Sequence, residues 1–266
     1  MGADIKSLRT RIKSVDSTLH LTKAMELVAS SKLRRTGEAM RNAREYGAAL
    51  DSAMAALTSC GECRKSIYMR AHEGKTRLIV IAGDRGLAGG YNANIFRFIR
   101  DYPDAQVIPI GKRACDRYGG APVYAERFSL GDASEMAKKL CEDFRAGDFG
   151  RLGIVYTKYV SLLLREVEVK WILPFSDSGE KSAADMIFEP DELTVMEAIA
   201  PEYVAGKIMA AVRESFASEI ASRKTAMDSA SKNAKQIADS LQLEYNRARQ
   251  SAITQEITEI VAGSGE

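Results

Sequence analysis

Residues 5–35 read IKSLRTRIKSVDSTLHLTKAMELVASSKLRR, and the spacing of their apolar residues decides the fold. Steps of three and four from Ile5 give Ile5, Leu8, Ile12, Val15, Leu19, Thr22, Glu26, Ala29 and Leu33. The same steps continue through Thr36, Met40, Ala43, Gly47, Leu50 and Met54 to Leu57. An unbroken alternation of this kind is the seam of a left-handed coiled coil. At 1.5 Å rise per residue, a helix over residues 3–57 would be about 80 Å long. Few globular cores need such a helix.

The seam turns polar at Thr22, Glu26 and Thr36, and nearby Met25, Leu27 and Val28 fall off it. Apolar surface there faces away from the coil partner. It suits another protein surface, with packing against the middle of the chain as the alternative. Residues 1–41 are also basic, with nine Lys and Arg against four acids. That excess suits an acidic protein partner or nucleic acid, although no aromatic residue is there to stack on bases.

A seam needs a partner, and the other end of the chain supplies one. All six prolines lie between residues 103 and 201, so both flanks are free to be helical. Residues 203–262 hold one glycine, and a second seam runs Met227, Ser231, Ala234, Ala238, Leu241, Tyr245, Ala248, Ala252. After Ala252 the apolar residues change phase to Ile253, Ile257 and Ile260, so the stripe there faces something new. The two flanks pair most simply with each other, antiparallel.

The middle alternates strands and helices. TRLIVIAG (76–83) and AQVIPIG (105–111) read as buried strands, APVYAERF (121–128) as a weaker third. RLGIVYTKY (151–159) and REVEVKWILPF (165–175) read as a closing hairpin-type pair. DASEMAKKLCEDFRAG (132–147) reads as a helix capped by Asp132, with Glu135 three residues on. The fold class is therefore α/β: a long antiparallel two-helix coiled coil from the chain ends with an inserted small Rossmann-like domain. The divisions expected are residues 1–60, 75–190 and 203–266.

The loop AGDRGLAGGYNANI (82–95) sits where a dinucleotide loop would sit, but its glycines at 83, 86, 89 and 90 do not match that spacing. No acid ends the second strand to hold a ribose, and no Gly-Lys-Ser/Thr follows. Only two histidines exist, His20 and His72, too few for acid–base or metal chemistry. The pair Cys60 and Cys63 closes a helical stretch, where neither a zinc site nor a redox dithiol belongs. No stretch approaches the ~20 apolar residues of a membrane span, and residues 1–14 lack the apolar run of a signal peptide. The residues leave open a nucleotide-binding enzyme with a coiled-coil arm, and a coiled-coil adaptor.

Three stretches carry a resemblance that decides among these: residues 5–35, DRGLAGGYNANIF at 84–96, and TAMDSASKNAKQIADSLQLEYNRARQSAITQEITEIVAG at 225–263. Together they resemble the gamma subunit of rotary F-type ATP synthases across nearly the whole chain. The resemblance implies a central-stalk rotor inside a hexamer of alpha and beta subunits, with the epsilon subunit and the c-ring as further partners. It implies no catalytic site, cofactor or metal, no nucleic acid, and a membrane reached only through partners; without a transit peptide the expected place is the cytoplasmic face of a bacterial cell membrane, with a mature mitochondrial chain as the alternative. By resemblance, Met25 and Arg223 meet acidic loops of the beta subunits, as does the glycine loop with Asp84, Arg85, Gly89 and Gly90. Arg249, Gln250, Thr254 and Glu256 form a C-terminal contact set. Ala88 stands where family loops often carry cysteine, and the dithiol insert of chloroplast members is absent.

Overall fold

The structure, a computed structural model, describes residues 2–70, 73–176 and 188–263, and His72 lies outside them. The chain forms two compact units, Met1–Ser30 with Arg223–Glu266, and Ser31–Ser222. Two helices contribute to both, α1 (Gly2–Thr58) and α5 (Glu192–Gly263). Between them come β1 (Thr76–Ile81), α2 (Tyr91–Phe98), β2 (Gln106–Ile110), α3 (Lys112–Tyr118), α4 (Leu130–Ala146), β3 (Arg151–Tyr159) and β4 (Arg165–Leu173).

The first unit is coil alone. Along α1, Ile5, Leu8, Ile12, Val15 and Leu19 are half-buried and Thr22 and Ala29 are buried, while the residues between are exposed as far as residue 24. On α5, Met227, Ser231, Ala234 and Leu241 are buried, with Ala238, Tyr245, Ala248 and Ala252 half-buried. Both seams are those the spacing predicts. A polar pair lies inside the unit: Ser231 Oγ donates to Thr22 Oγ1 at 2.9 Å. The Thr22 hydroxyl in turn donates to the Thr18 carbonyl at 3.0 Å. A slip in register would take the Thr22 acceptor from the Ser231 hydroxyl, at about 1 kcal/mol, while Thr22 keeps its bond to the Thr18 carbonyl. The pair therefore fixes the alignment that small, interchangeable alanines leave loose.

The second unit wraps a four-stranded sheet, in the order β2-β1-β3-β4, onto the same two helices. β1 is parallel to β2 and β3, and β3 is antiparallel to β4. Side chains alternate across the sheet. Ile79, Ile81, Ile110, Leu152 and Ile154 share one core with Leu140 and Phe144 of α4, Met54 and Leu57 of α1, and Met196, Val204 and Ile208 of α5. Leu78, Val80 and Val155 share the other with Tyr91 and Ile95 of α2. In this unit α1 and α5 run antiparallel: Arg44 meets Glu214, and Asp51 meets Tyr203 and Lys207. Lys207 is 4 % exposed, and burial lowers its ammonium pKa against the pull of Asp51.

Three local readings are corrected. α5 starts at Glu192 and contains Pro201, eleven residues before the helix predicted from Tyr203. An interior proline costs roughly 3 kcal/mol, but Met196, Ala200 and Val204, at steps of four, are fully buried and offset it. Asp191 caps this start by accepting from Thr194 N–H at 2.9 Å. The segment 121–128 forms no strand. Its Ala125 and Glu126 N–H groups donate to the Asp84 carboxylate, both at 2.9 Å, and Pro122 has no N–H at all. Finally, α4 is capped by Ser129 in a capping box with Asp132, three residues before the cap predicted at Asp132.

β3 is longer than its neighbour. It pairs with β1 only through Val155, so the backbone of Thr157 and Tyr159 has no strand on that side. Side chains of the helices take the strand's place. Thr157 N–H donates to Ser215 Oγ at 3.3 Å, and Ser218 Oγ donates to the Thr157 carbonyl at 2.9 Å. Tyr159 N–H donates to Glu214 Oε1 at 3.0 Å, and Arg44 donates to the Tyr159 carbonyl at 2.6 Å.

Gly111, between β2 and α3, has φ +95°, and a Cβ there would lie 2.0 Å from the Ala82 carbonyl oxygen. The turn must also present its N–H to the Val123 carbonyl at 2.9 Å. Gly111→Ala should destabilise this unit by about 3 kcal/mol, combining left-handed strain with a backbone clash. Denaturant unfolding followed by the fluorescence of Trp171, the chain's single tryptophan, checks this. An unchanged midpoint would show that the turn relaxes freely.

Candidate partner-binding surface

The glycine loop leaves β1 and enters α2, and its base is bolted down. Gly83 N–H donates to Asn92 Oδ1 at 2.9 Å, and Arg113 N–H donates to the Gly83 carbonyl at 3.0 Å. Asp84 is 8 % exposed and accepts from Lys112 N–H at 3.1 Å as well as from Ala125 and Glu126. Its carboxylate is thus consumed inside the chain. Offering Asp84 as an outward contact is corrected on that ground: the side chain is a latch holding residues 112 and 125–126 to the loop. Ala88 is likewise buried, in the α2 core, and does not face outward.

What the loop presents is its tip. Arg85 is largely exposed, and Leu87 is 64 % exposed in the left-handed region at φ 61°. A leucine held in that conformation is strained, and such strain persists only where the surroundings enforce it. Gly89 (φ 57°) and Gly90, the residue before α2, are exposed and bring bare backbone to the surface. Nothing in the spacing of the loop singled out Leu87, because a positive φ in a leucine has no sequence signal.

Beside the tip lies a cluster of cations around one carboxylate. Lys32 Nζ is 2.6 Å from Glu126 Oε1, and Arg85 is 3.8 Å from Oε2. Lys32, Arg35, Arg213, Glu126 and Phe216 line a depression of about 280 Å³. Arg213 donates to the Phe128 carbonyl at 3.2 Å. Local sequence could not find this cluster, since Lys32 and Glu126 are 94 residues apart.

In the coil unit, Met25 is half-buried, with Leu21, Leu27 and Val28 exposed at 61, 69 and 60 %. The apolar residues off the seam do face outward. Arg223, on α5, is half-buried. Arg249, Gln250, Thr254 and Glu256 are exposed on the last turns of α5, where the Thr254 hydroxyl donates to the Gln250 carbonyl at 2.9 Å. Ile253, Ile257, Ile260 and Val261 share that stretch, between 47 and 70 % exposed. This is the stripe whose phase shift the sequence shows.

The Lys32 ammonium, hydrogen-bonded to Glu126, holds that carboxyl below its ordinary 4.5, against the opposing effect of partial burial. A depressed carboxyl adds stability above its unfolded pKa and loses it as pH falls through the folded one. A carbon-13 titration of Glu126 should therefore show a midpoint below 4.5, moving upward in Lys32→Met. Equal midpoints in the two proteins would refute the pairing.

The comparisons with known proteins agree with this geometry. Residues 4–265 match the family described as ATP synthase. The ATP synthase gamma chain of Ruminococcus albus is 39% identical, covering 98% of both chains. The sodium-ion-specific gamma chain of Acetobacterium woodii is 34% identical over 99% of both. Among solved structures, a chain of the Euglena gracilis mitochondrial ATP synthase, in a structure of OSCP, F1 and c-ring, superposes with a TM-score of 0.69. It is 19% identical, over 99% of this chain and 94% of that one. A chain of the central stalk and c-ring of the Tetrahymena thermophila enzyme gives 0.63 at 21% identity, over 79% and 99%. These last two share the fold. With relatives this similar over their whole length, the chain belongs to the gamma-chain family of ATP synthases.

Proposed function

We propose that the chain is the rotor of the central stalk, a non-catalytic subunit that carries rotation between the c-ring and the alpha/beta hexamer. The observation behind this reading is a pair of apolar bands, Leu21, Leu27 and Val28, and Ile253, Ile257, Ile260 and Val261. The first lies on a stretch of α1 whose seam is filled, and the second lies past Ala252, where residues 253–262 of α5 are all exposed. A helix with its seam satisfied has no internal use for more exposed apolar surface. A sleeve of other subunits would use it.

A single two-helix coil has no threefold symmetry, so each of three surrounding beta subunits meets a different face. Rotation then presents each site with a succession of contacts, and only such differential contact can move a binding equilibrium. Met25 with its exposed neighbours, Arg223, and the set Arg249, Gln250, Thr254 and Glu256 are the levels at which we place those contacts. In the glycine loop we place them on Arg85, Leu87 and the backbone of Gly89 and Gly90, with the Lys32–Arg35–Arg213 cluster supplying positive charge for an acidic beta segment. The epsilon subunit is a further partner. The assembly sits at the cytoplasmic face of the bacterial membrane, which this chain reaches through its partners.

A tagged chain should copurify with alpha, beta and epsilon subunits. In that complex, Met25→Lys places an ammonium where rotor and acidic segment meet. A new ion pair there, worth up to ~1 kcal/mol, must break at every step. ATP hydrolysis should persist while ATP-driven ion uptake into vesicles falls about fivefold. Unchanged uptake would remove Met25 from the contact set, and a chain that captures none of the subunits would remove the rotor reading itself.

A further inference from the structure

In the rotor reading, with the c-ring side placed at the sheet, rotation crosses from the sheet to the helices, and within residues 31–222 the two share a largely apolar core. Ile79, Ile81, Leu152 and Ile154 meet Val204, Ile208 and Val212 through contacts that resist separation. Apolar burial is itself non-directional, and such a core resists sliding through the interlocking of its side chains. Hydrogen bonds fail within small changes of distance and angle, and charge-assisted ones are the strongest of them.

Lys170 of β4 pairs with Asp51 of α1 at 3.8 Å, and a denser group of directional contacts lies at the end of β3. Glu214, Ser215 and Ser218 lie on one stretch of α5, with Ser215 and Ser218 fully buried and Glu214 8 % exposed. They bind the backbone of Thr157 and Tyr159, as described above. Arg44 of α1 closes the group, reaching Glu214 Oε1 at 2.6 Å with the same nitrogen that reaches the Tyr159 carbonyl. The phenol of Tyr91, the first residue of α2, lies 2.7 Å from Ser215 Oγ and donates to the Ser215 carbonyl at 3.0 Å. Burial pushes that phenol's pKa well above its ordinary value, so it stays protonated and able to donate. Both long helices, the sheet and α2 are thereby tied through about one turn of α5.

We propose that Glu214, Ser215, Ser218 and Arg44 form the joint through which torque passes between the sheet and the helical pair. They are positioning residues for coupling, and they have no part in the chemistry of ATP. The proposal rests on the rotor reading. It also assigns a use to buried Glu214, a charge that an apolar residue would otherwise replace at lower desolvation cost.

The test uses the complete ATP synthase in vesicles, with ATP hydrolysis and ATP-driven ion uptake measured on the same sample. Glu214→Ala and the double variant Ser215→Ala/Ser218→Ala should assemble and hydrolyse ATP at close to the wild-type rate. Ions moved per ATP should fall about fivefold, the equivalent of one ordinary hydrogen bond. Glu214→Gln keeps an acceptor for Tyr159 and Arg44 and should recover most of the ratio. A wild-type ratio in both alanine variants would overturn the proposal. So would a failure of both them and the milder Ser218→Ala to assemble, which would make the residues structural only. Absence of ATP-driven uptake in the wild-type complex would instead overturn the rotor reading on which the joint depends.

Discussion

A strand that outruns its neighbour leaves donors and acceptors that cannot stay unpaired inside a protein. Here that strand is β3, and the organisation of residues 31–222 follows from how the debt at Thr157 and Tyr159 is settled. β1 cannot extend to cover them, because its chain turns away at Gly83 into a loop bolted by Asn92 and Asp84. α5 covers them with Glu214, Ser215 and Ser218, and α1 with Arg44, which explains serines and a glutamate in buried turns of α5. Ser215 also receives Tyr91, so the entry into α2 is placed by the same helix. The loop that α2 anchors, with Leu87 at its tip, takes its position from a helix more than a hundred residues away in sequence.

The division between what sequence shows and what it hides is physical. The α1 seam from Ile5 to Leu57 is periodic, local and long, and each of its residues is buried or half-buried. The exposure of Leu27 and Val28 follows from the same periodicity, because a residue off a filled seam has nowhere else to go, and Ile253 and Ile257 are exposed past the last seam residue of α5. Strands β1, β2, β3 and β4 were legible from apolar runs. Segment 121–128 was not, since its backbone bonds go to a side chain 41 residues earlier, Asp84 to Ala125. The start of α5 was hidden by Pro201, whose local cost is outweighed by burial that only the tertiary structure supplies. Of the loop residues, Gly89 and Gly90 are at the surface, while Asp84 faces inward because three N–H groups converge on it.

Charge follows the same logic at the surface. The basic excess of the first 41 residues places Lys32 and Arg35 beside the depression that Arg213 and Glu126 share. One internal carboxylate serves two cations, Lys32 and Arg85, and a fully neutralised cluster would need more. A chain of net charge +2 can therefore carry a strongly signed local field. Formal charge said little about partners because the basic excess is concentrated in the first 41 residues, nine Lys and Arg against four acids.

The pairing of Thr22 with Ser231 bears on how such a coil can change in length. One added residue turns everything beyond it by about 100°, which would carry a seam off its partner. Seven residues make two turns short by only about 20°, which supercoiling absorbs. Insertions or deletions on either side of the pair are therefore expected in sevens, or as matched changes in both helices. Single-residue variation belongs in the loops around the sheet, where no shared seam keeps count.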